Sequence, residues 1–139
     1  MKNAKFWIAV LVAGIVGNLL DLYIQGSLMT HAFYSKIESM RNDASPKWYI
    51  IGDFVAVFVF AWVLKRVASA FASGAKGGAV AGLYLGIIVE FPTWHFIQIM
   101  FKGIPYNLAW INTIYGVVWY VIIGAIVGAL MLNKSETAA

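Results

Sequence analysis

Gly78–Gln98 reads GAVAGLYLGIIVEFPTWHFIQ, an apolar run with no lysine or arginine in it. Every fourth residue forms a pattern: Gly78, Gly82 and Gly86, then Glu90, Trp94 and Gln98. Four-residue spacing keeps side chains on neighbouring turns of an α-helix, so the run predicts one helix with a slowly rotating stripe. Its first half is small enough for another helix to approach closely. Its second half carries a carboxyl, an indole and an amide, with Pro92 and His95 beside them. The stripe drifts about 40° per step on a straight helix, so the glycines and the polar trio need not face the same neighbour.

Three further segments resemble this one in length and apolarity. The spans are expected at about 6–28, 48–66, 78–101 and 107–132, each near the roughly 20 residues that a hydrocarbon core requires. Composition agrees. Of 139 residues, 62% are hydrophobic and 12% charged, against roughly 45–50% and about 25% in ordinary globular domains. The mean hydropathy is +0.80, and a water-soluble chain of this length has too little interior to hide so much apolar surface. The fold class is therefore all-α: one polytopic domain over 1–139, four transmembrane helices in a compact bundle. Lys2 and Lys5 ahead of the first run resemble the start of a signal peptide, but the run is long and has no clean small-x-small cleavage site. It is expected to be a retained first helix.

An echo between the halves fits two hairpins related by duplication, in parallel rather than inverted sense. Ala13-Gly14 leads to Asp21, and Ala81-Gly82 leads to Glu90. Trp48 and Trp110 lie near the starts of the second and fourth spans.

The net charge of +4 does not point to nucleic acid, because the basic residues sit between apolar segments rather than as a stripe on a polar fold. Lys2, Lys5, Lys65, Arg66, Lys76 and Lys134 share one side, and Lys36, Arg41, Lys47 and Lys102 the other. The positive-inside rule then places both termini in the cytoplasm. Trp48, Tyr49, Tyr106 and Trp110 form an aromatic belt at the opposite interface. The loop of about 29–47 has a turn-forming patch at Asn42–Pro46, and Phe33, Ile37 and Met40 recur in it at the spacing of a short interfacial helix. Residues 67–77 read as a basic linker and Asn133–Ala139 as a frayed tail. Without cysteine, disulfides and thiolate chemistry are excluded. No cofactor or metal site is expected.

Three of the six acids fall inside spans: Asp21, Asp53 and Glu90. A carboxyl at a helix centre costs about 2.5–3.5 kcal/mol on insertion scales, so each needs a reason. From helix rise, Asp21 lies roughly 10 Å, Asp53 about 7 Å and Glu90 about 16 Å below the outer ends of their spans. Asn18, Gln25, Thr93, His95, Gln98, Asn112, Thr113 and Tyr115 share this outer half, whereas the inner half is Gly, Ala, Val, Ile and Leu. That asymmetry predicts a polar pocket open to the outside and sealed toward the cytoplasm. Asn18, Asp21 and Gln25 share one face of the first helix. Glu90 and His95, five apart, would meet only if Pro92 bends the helix.

Each candidate also has a plain structural explanation. Asn18, Gln98 and Asn112 suit helix-to-helix hydrogen bonds, and Asp53 suits a helix N-terminus. Gly78, Gly82, Gly86, Gly124 and Gly128 suit close packing.

The order of features resembles an uncharacterised family of small four-helix bacterial inner-membrane proteins, known only as a domain of unknown function. The resemblance covers about 6–132 and rests on Phe101-Lys102-Gly103, on Ile111-Asn112-x-x-Tyr115 opening the last helix, and on the glycine-rich third helix. Leu22-Tyr23 departs from the Trp-Tyr of that family's first helix. The resemblance implies a bacterial inner-membrane location and no activity.

The leading expectation is a non-enzymatic bundle that associates with itself or a larger complex, because the small-residue faces on the third and fourth helices exceed what one bundle needs. The alternative is a transporter or channel for a small solute, ion or proton, with Asp21 and Glu90 as the titrating groups. An intramembrane enzyme using Glu90 or Asp21 with His95, and a haem held by His31 and His95, rank behind both. No nucleophile–base–orienter spacing supports the first, and the two histidines lie in different settings.

Overall fold

A computed structural model describes residues 2–38 and 45–132. Four helices carry the fold: α1 (Lys2–Tyr23), α2 (Pro46–Arg66), α3 (Gly74–Met100) and α4 (Tyr106–Met131). All four are long and apolar enough to cross a membrane. Their ends follow from local chemistry. Pro46 opens α2 at a position where its missing N–H costs nothing. Gly74 and Gly103 take φ values of 74° and 88°, conformations open to glycine at little steric cost. Gly103 thereby makes the tight α3–α4 turn, while the Gly74 N–H donates to the Leu132 carbonyl at 2.6 Å. That bond ties the start of α3 to the end of α4.

The first span is longer than its apolar run. Beyond Tyr23 the helical path continues as a π-helical turn (Ile24–Met29), one α-turn (Thr30–Ala32) and a 3₁₀ turn (Tyr34–Lys36). The helical path thus runs past the expected span of about 6–28. Thr30 stays in the helix by donating its hydroxyl to the Gln25 carbonyl at 3.0 Å, so a polar residue there extends the path. Asp21 accordingly lies near the middle of the 33-residue stretch Ala4–Lys36 rather than near its end. Helix α3 likewise starts four residues earlier than expected, at Gly74, which shortens the expected 67–77 linker. Phe33 and Ile37 of the expected interfacial helix pack inward rather than along a surface. Met40, Arg41, Asn42, Asp43 and the tail with Lys134 lie outside the described residues.

Helices α3 and α4 form the tightest pair. A Cβ added at Gly82 would run into the Tyr120 carbonyl, and one at Gly86 would sit 2.9 Å from Val117 Cα. Gly78 meets the Gly124 and Gly128 backbone, and Gly116 meets the Glu90 side chain. The stripe Gly78–Gly82–Gly86–Glu90 therefore faces one neighbour throughout. The drift of a four-residue row does not separate Glu90 from the glycines, so this much of the stripe shares a neighbour. A row of i±4 residues is inclined to its helix axis, so two such rows stay in register when the helices cross at a matching angle.

Helix α4 is the hub, with α3 along one side and α1 on another; α1 in turn packs on α2. The main apolar core occupies the half of the bundle nearer the termini and draws on every helix: Phe6, Ala13, Val57, Leu64, Ala81, Trp119 and Ile123 are among its buried members. A second, smaller cluster of Met29, Tyr34, Ile37 and Leu108 closes the other end, with Ile24, Phe33, Ile104 and Ile111 against it. The polar residues lie between the two.

Candidate functional site

Helices α1 and α4 run antiparallel and are joined by three polar rungs. At the level nearest the termini, Trp119 Nε1 donates to the Gly17 carbonyl at 3.2 Å. One turn up, the Tyr115 hydroxyl donates to Asp21 Oδ1. Above that, Gln25 Nε2 donates to Asn112 Oδ1 at 3.1 Å. The spacing explains the match. Residues 17, 21 and 25 are four apart on α1, and residues 112, 115 and 119 are three and four apart on α4, which keeps each set on one face.

Helix α2 adds the second carboxyl. Asp53 lies close enough to Asp21 for the two to hydrogen-bond. Asp53 Oδ2 is shielded and meets no donor. Its placement differs from the helix-terminus explanation, because it packs across to α1 from the second turn of α2.

Glu90 approaches from α3. Its carboxyl lies against Gly116, where only the absence of a side chain leaves room, and it accepts a bond of 3.1 Å from Trp94 Nε1 on its own helix. Gly116 follows Tyr115 in α4, so Glu90 and Asp21 approach the same turn of that helix. Among the described residues, no three His, Cys, Asp or Glu side chains converge as metal ligands.

The remaining candidates separate from this group. Asn18 donates to the Gly14 carbonyl of its own helix at 2.9 Å and not to another helix. His95 does not meet Glu90. Its Nδ1 pairs with the Phe91 carbonyl at 2.8 Å, and its ring stacks on Phe91 with Trp110 edge-on at 4.7 Å. It belongs to the interfacial aromatic cluster with Tyr106. Gln98 is half-buried and has no side-chain hydrogen bond among the described residues. Asn112 is fully buried with its Nδ2 unpaired.

At the end away from the termini, where the distribution of polar residues suggested an opening, a small apolar cluster packs beside the polar group. Its members are Met29, Tyr34, Ile37 and Leu108, and the Tyr34 hydroxyl reaches from it to Gln25 Oε1 at 2.5 Å and Asn112 Oδ1 at 2.9 Å. Tyr34, Trp119, Tyr120 and Gly116 were not singled out as site residues from sequence. Gly116 continues the Gly124–Gly128 row by two more four-residue steps, and Trp119 completes the 112/115/119 face, so both carried a signal. Tyr34 carried none, because it follows the end of the apolar run.

Compared with protein-family profiles, curated proteins and solved structures, the chain has no match.

Proposed function

We propose that this protein is a small multi-pass membrane protein that takes up a proton, or one small monovalent cation, at the Asp21–Asp53 pair. In this reading it is a transport module and not an enzyme. The observation that carries it is the meeting of two carboxyls from different helices inside a bundle, with Tyr115 donating to Asp21. Intramembrane acids without a basic partner are costly, and relays of this kind are their best-known use. Tyr115 orients Asp21, and the free Asp53 oxygen offers the second ligand. Glu90, within electrostatic reach across Tyr120, is the next carboxyl for the charge to reach.

Flux into liposomes under an imposed membrane potential tests this, read with a pH-sensitive dye and then with sodium or potassium outside. Asp21→Asn and Asp53→Asn each keep the side-chain shape and remove the titrating group. Each is expected to cut flux about tenfold or more, equivalent to ~1.4 kcal/mol on the barrier. Unchanged flux in both variants overturns the reading.

A second reading is a non-enzymatic bundle that assembles with itself or with a larger membrane complex. It is favoured by the fact that every rung also holds two helices together. Its original motive is weaker, because Gly78, Gly82, Gly86, Gly124 and Gly128 are used within one chain. A native mass in mild detergent showing only monomers removes it.

We place the protein in a bacterial inner membrane, with both termini cytoplasmic and the Lys36–Lys47 and Lys102 connections outside. The Lys and Arg distribution supports the orientation. The Phe101-Lys102-Gly103 and Ile111-Asn112-x-x-Tyr115 segments support kinship with the small four-helix inner-membrane family.

A further inference from the structure

The segment after Tyr23 is built differently from the rest of α1. Ile24–Met29 is a π-helical turn, a form that is rare and concentrates at functional sites. Beyond it, Phe33 leaves helical geometry at φ −132°, and the path bends so that Met29, Tyr34 and Ile37 pack on Leu108 of α4. Among the described residues this cluster has four buried members, against fifteen in the main core. A region with few buried apolar contacts opens at lower free energy than the body of a fold.

Directly beneath it lies the Tyr34–Gln25–Asn112 group, and one turn further down the Asp21–Tyr115 contact. The group is under-satisfied. Tyr34 has one hydroxyl proton for two acceptors, and Asn112 Nδ2 is buried without a partner. A buried donor left unpaired raises the free energy of the closed arrangement, so opening to water recovers part of that cost.

We infer that residues 24–37 form a gate over the Asp21–Asp53 site, swinging at the π-helical turn and latched by the Tyr34 hydroxyl on Asn112 and Gln25. The inference rests on the reading of Asp21–Asp53 as a proton or cation site. It adds the route: access runs past Tyr34 at the end of the bundle away from the termini, and the closed gate occludes the site. The main apolar core blocks the opposite end.

The chain has no cysteine, so one introduced thiol reports on the gate. Leu108 is 1% exposed beneath the segment, whereas Lys102 is exposed at the same end. Leu108→Cys and, as the open control, Lys102→Cys are labelled with a water-soluble maleimide in nanodiscs, where both membrane faces meet the reagent. Leu108→Cys is expected to react far more slowly than the control. Adding Tyr34→Phe, which keeps the ring packing, is expected to speed it about fivefold to tenfold, the effect of one net hydrogen bond. Labelling as fast as the control overturns the gate, and a rate unmoved by Tyr34→Phe overturns the latch. If Leu108→Cys does not fold, half-buried Ile111 of the same cluster takes the thiol in the same comparison. Labelling reads access and not flux, so an unaffected flux in both Asp21→Asn and Asp53→Asn defeats the site while leaving the gate measurement to stand or fall alone.

Discussion

Asp21 has its meaning from three neighbours: Tyr115 donates to it, Asp53 crowds it and Gln25 lies one turn above. Interhelical hydrogen bonds in membranes are worth about 0.6 kcal/mol on average, and Trp119→Phe, which loses the bond to the Gly17 carbonyl, is expected to cost about that much. Tyr115→Phe leaves a carboxyl oxygen without its donor in a shielded site and is expected to cost about 1–3 kcal/mol. Unfolding in mixed micelles separates the two, and equal costs would show that the Asp21 contact is an ordinary bond. At this scale the sequence was half legible. Asp21, Asp53 and Glu90 stood out because acids in apolar spans need a reason, but nothing in the sequence brought Asp53 to Asp21. Asn18 looked equivalent to Gln25 on the same face, yet its short amide reaches its own Gly14 carbonyl, while the longer Gln25 crosses to Asn112.

Helices α3 and α4 behave as one element. Gly82→Leu forces a side chain into the Tyr120 backbone, and overpacking of this kind costs about 1–3 kcal/mol where neighbours can shift. Here the neighbour is backbone, so the upper end is expected in the same micelle assay. Gly52→Ala on α2 is the contrast, since nothing lies within 4 Å of the added carbon. It is expected to be neutral or to stabilise by up to about 1 kcal/mol through helix propensity. The glycine stripe was readable as a packing face from its spacing alone. Its partner was not, because a row four residues apart drifts on an isolated helix and stays in place only through the crossing angle of a pair. The π-helical turn after Tyr23 had no local signature, being held by Thr30 and by packing on Leu108.

For the whole molecule, the bundle is layered along its length: a main apolar core toward the termini, three acids with their tyrosines, then a smaller apolar cluster. Aromatic and basic side chains mark its ends. Arg66 lies over the Trp62 ring at 4.1 Å and Lys65 near Phe6 at 5.8 Å, while Trp48 and Tyr49 are 65% and 63% exposed at the other end. The orientation proposed from Lys and Arg predicts that, in intact cells, an impermeant maleimide labels Lys102→Cys and spares Ala70→Cys, which is exposed in the α2–α3 connection. The reverse pattern inverts the protein in its membrane. Gly78, Gly82, Gly86, Gly124 and Gly128 are spent between α3 and α4 of one chain, while Ala75 and Ala79 on α3 and Ala125 and Ala129 on α4 are not fully buried.

The sequence by itself determined the class, the four spans and the identity of the costly acids, because membrane solvation acts on each segment independently: length, apolarity and charge are local properties. Only the tertiary structure decided that Asp53 lies beside Asp21, that Glu90 closes the glycine stripe against Gly116, and that Met29, Tyr34 and Ile37 fold onto Leu108 of α4. Those outcomes depend on which helix faces meet and at what angle, a choice that small residues and shared hydrogen bonds make together and that no single segment contains.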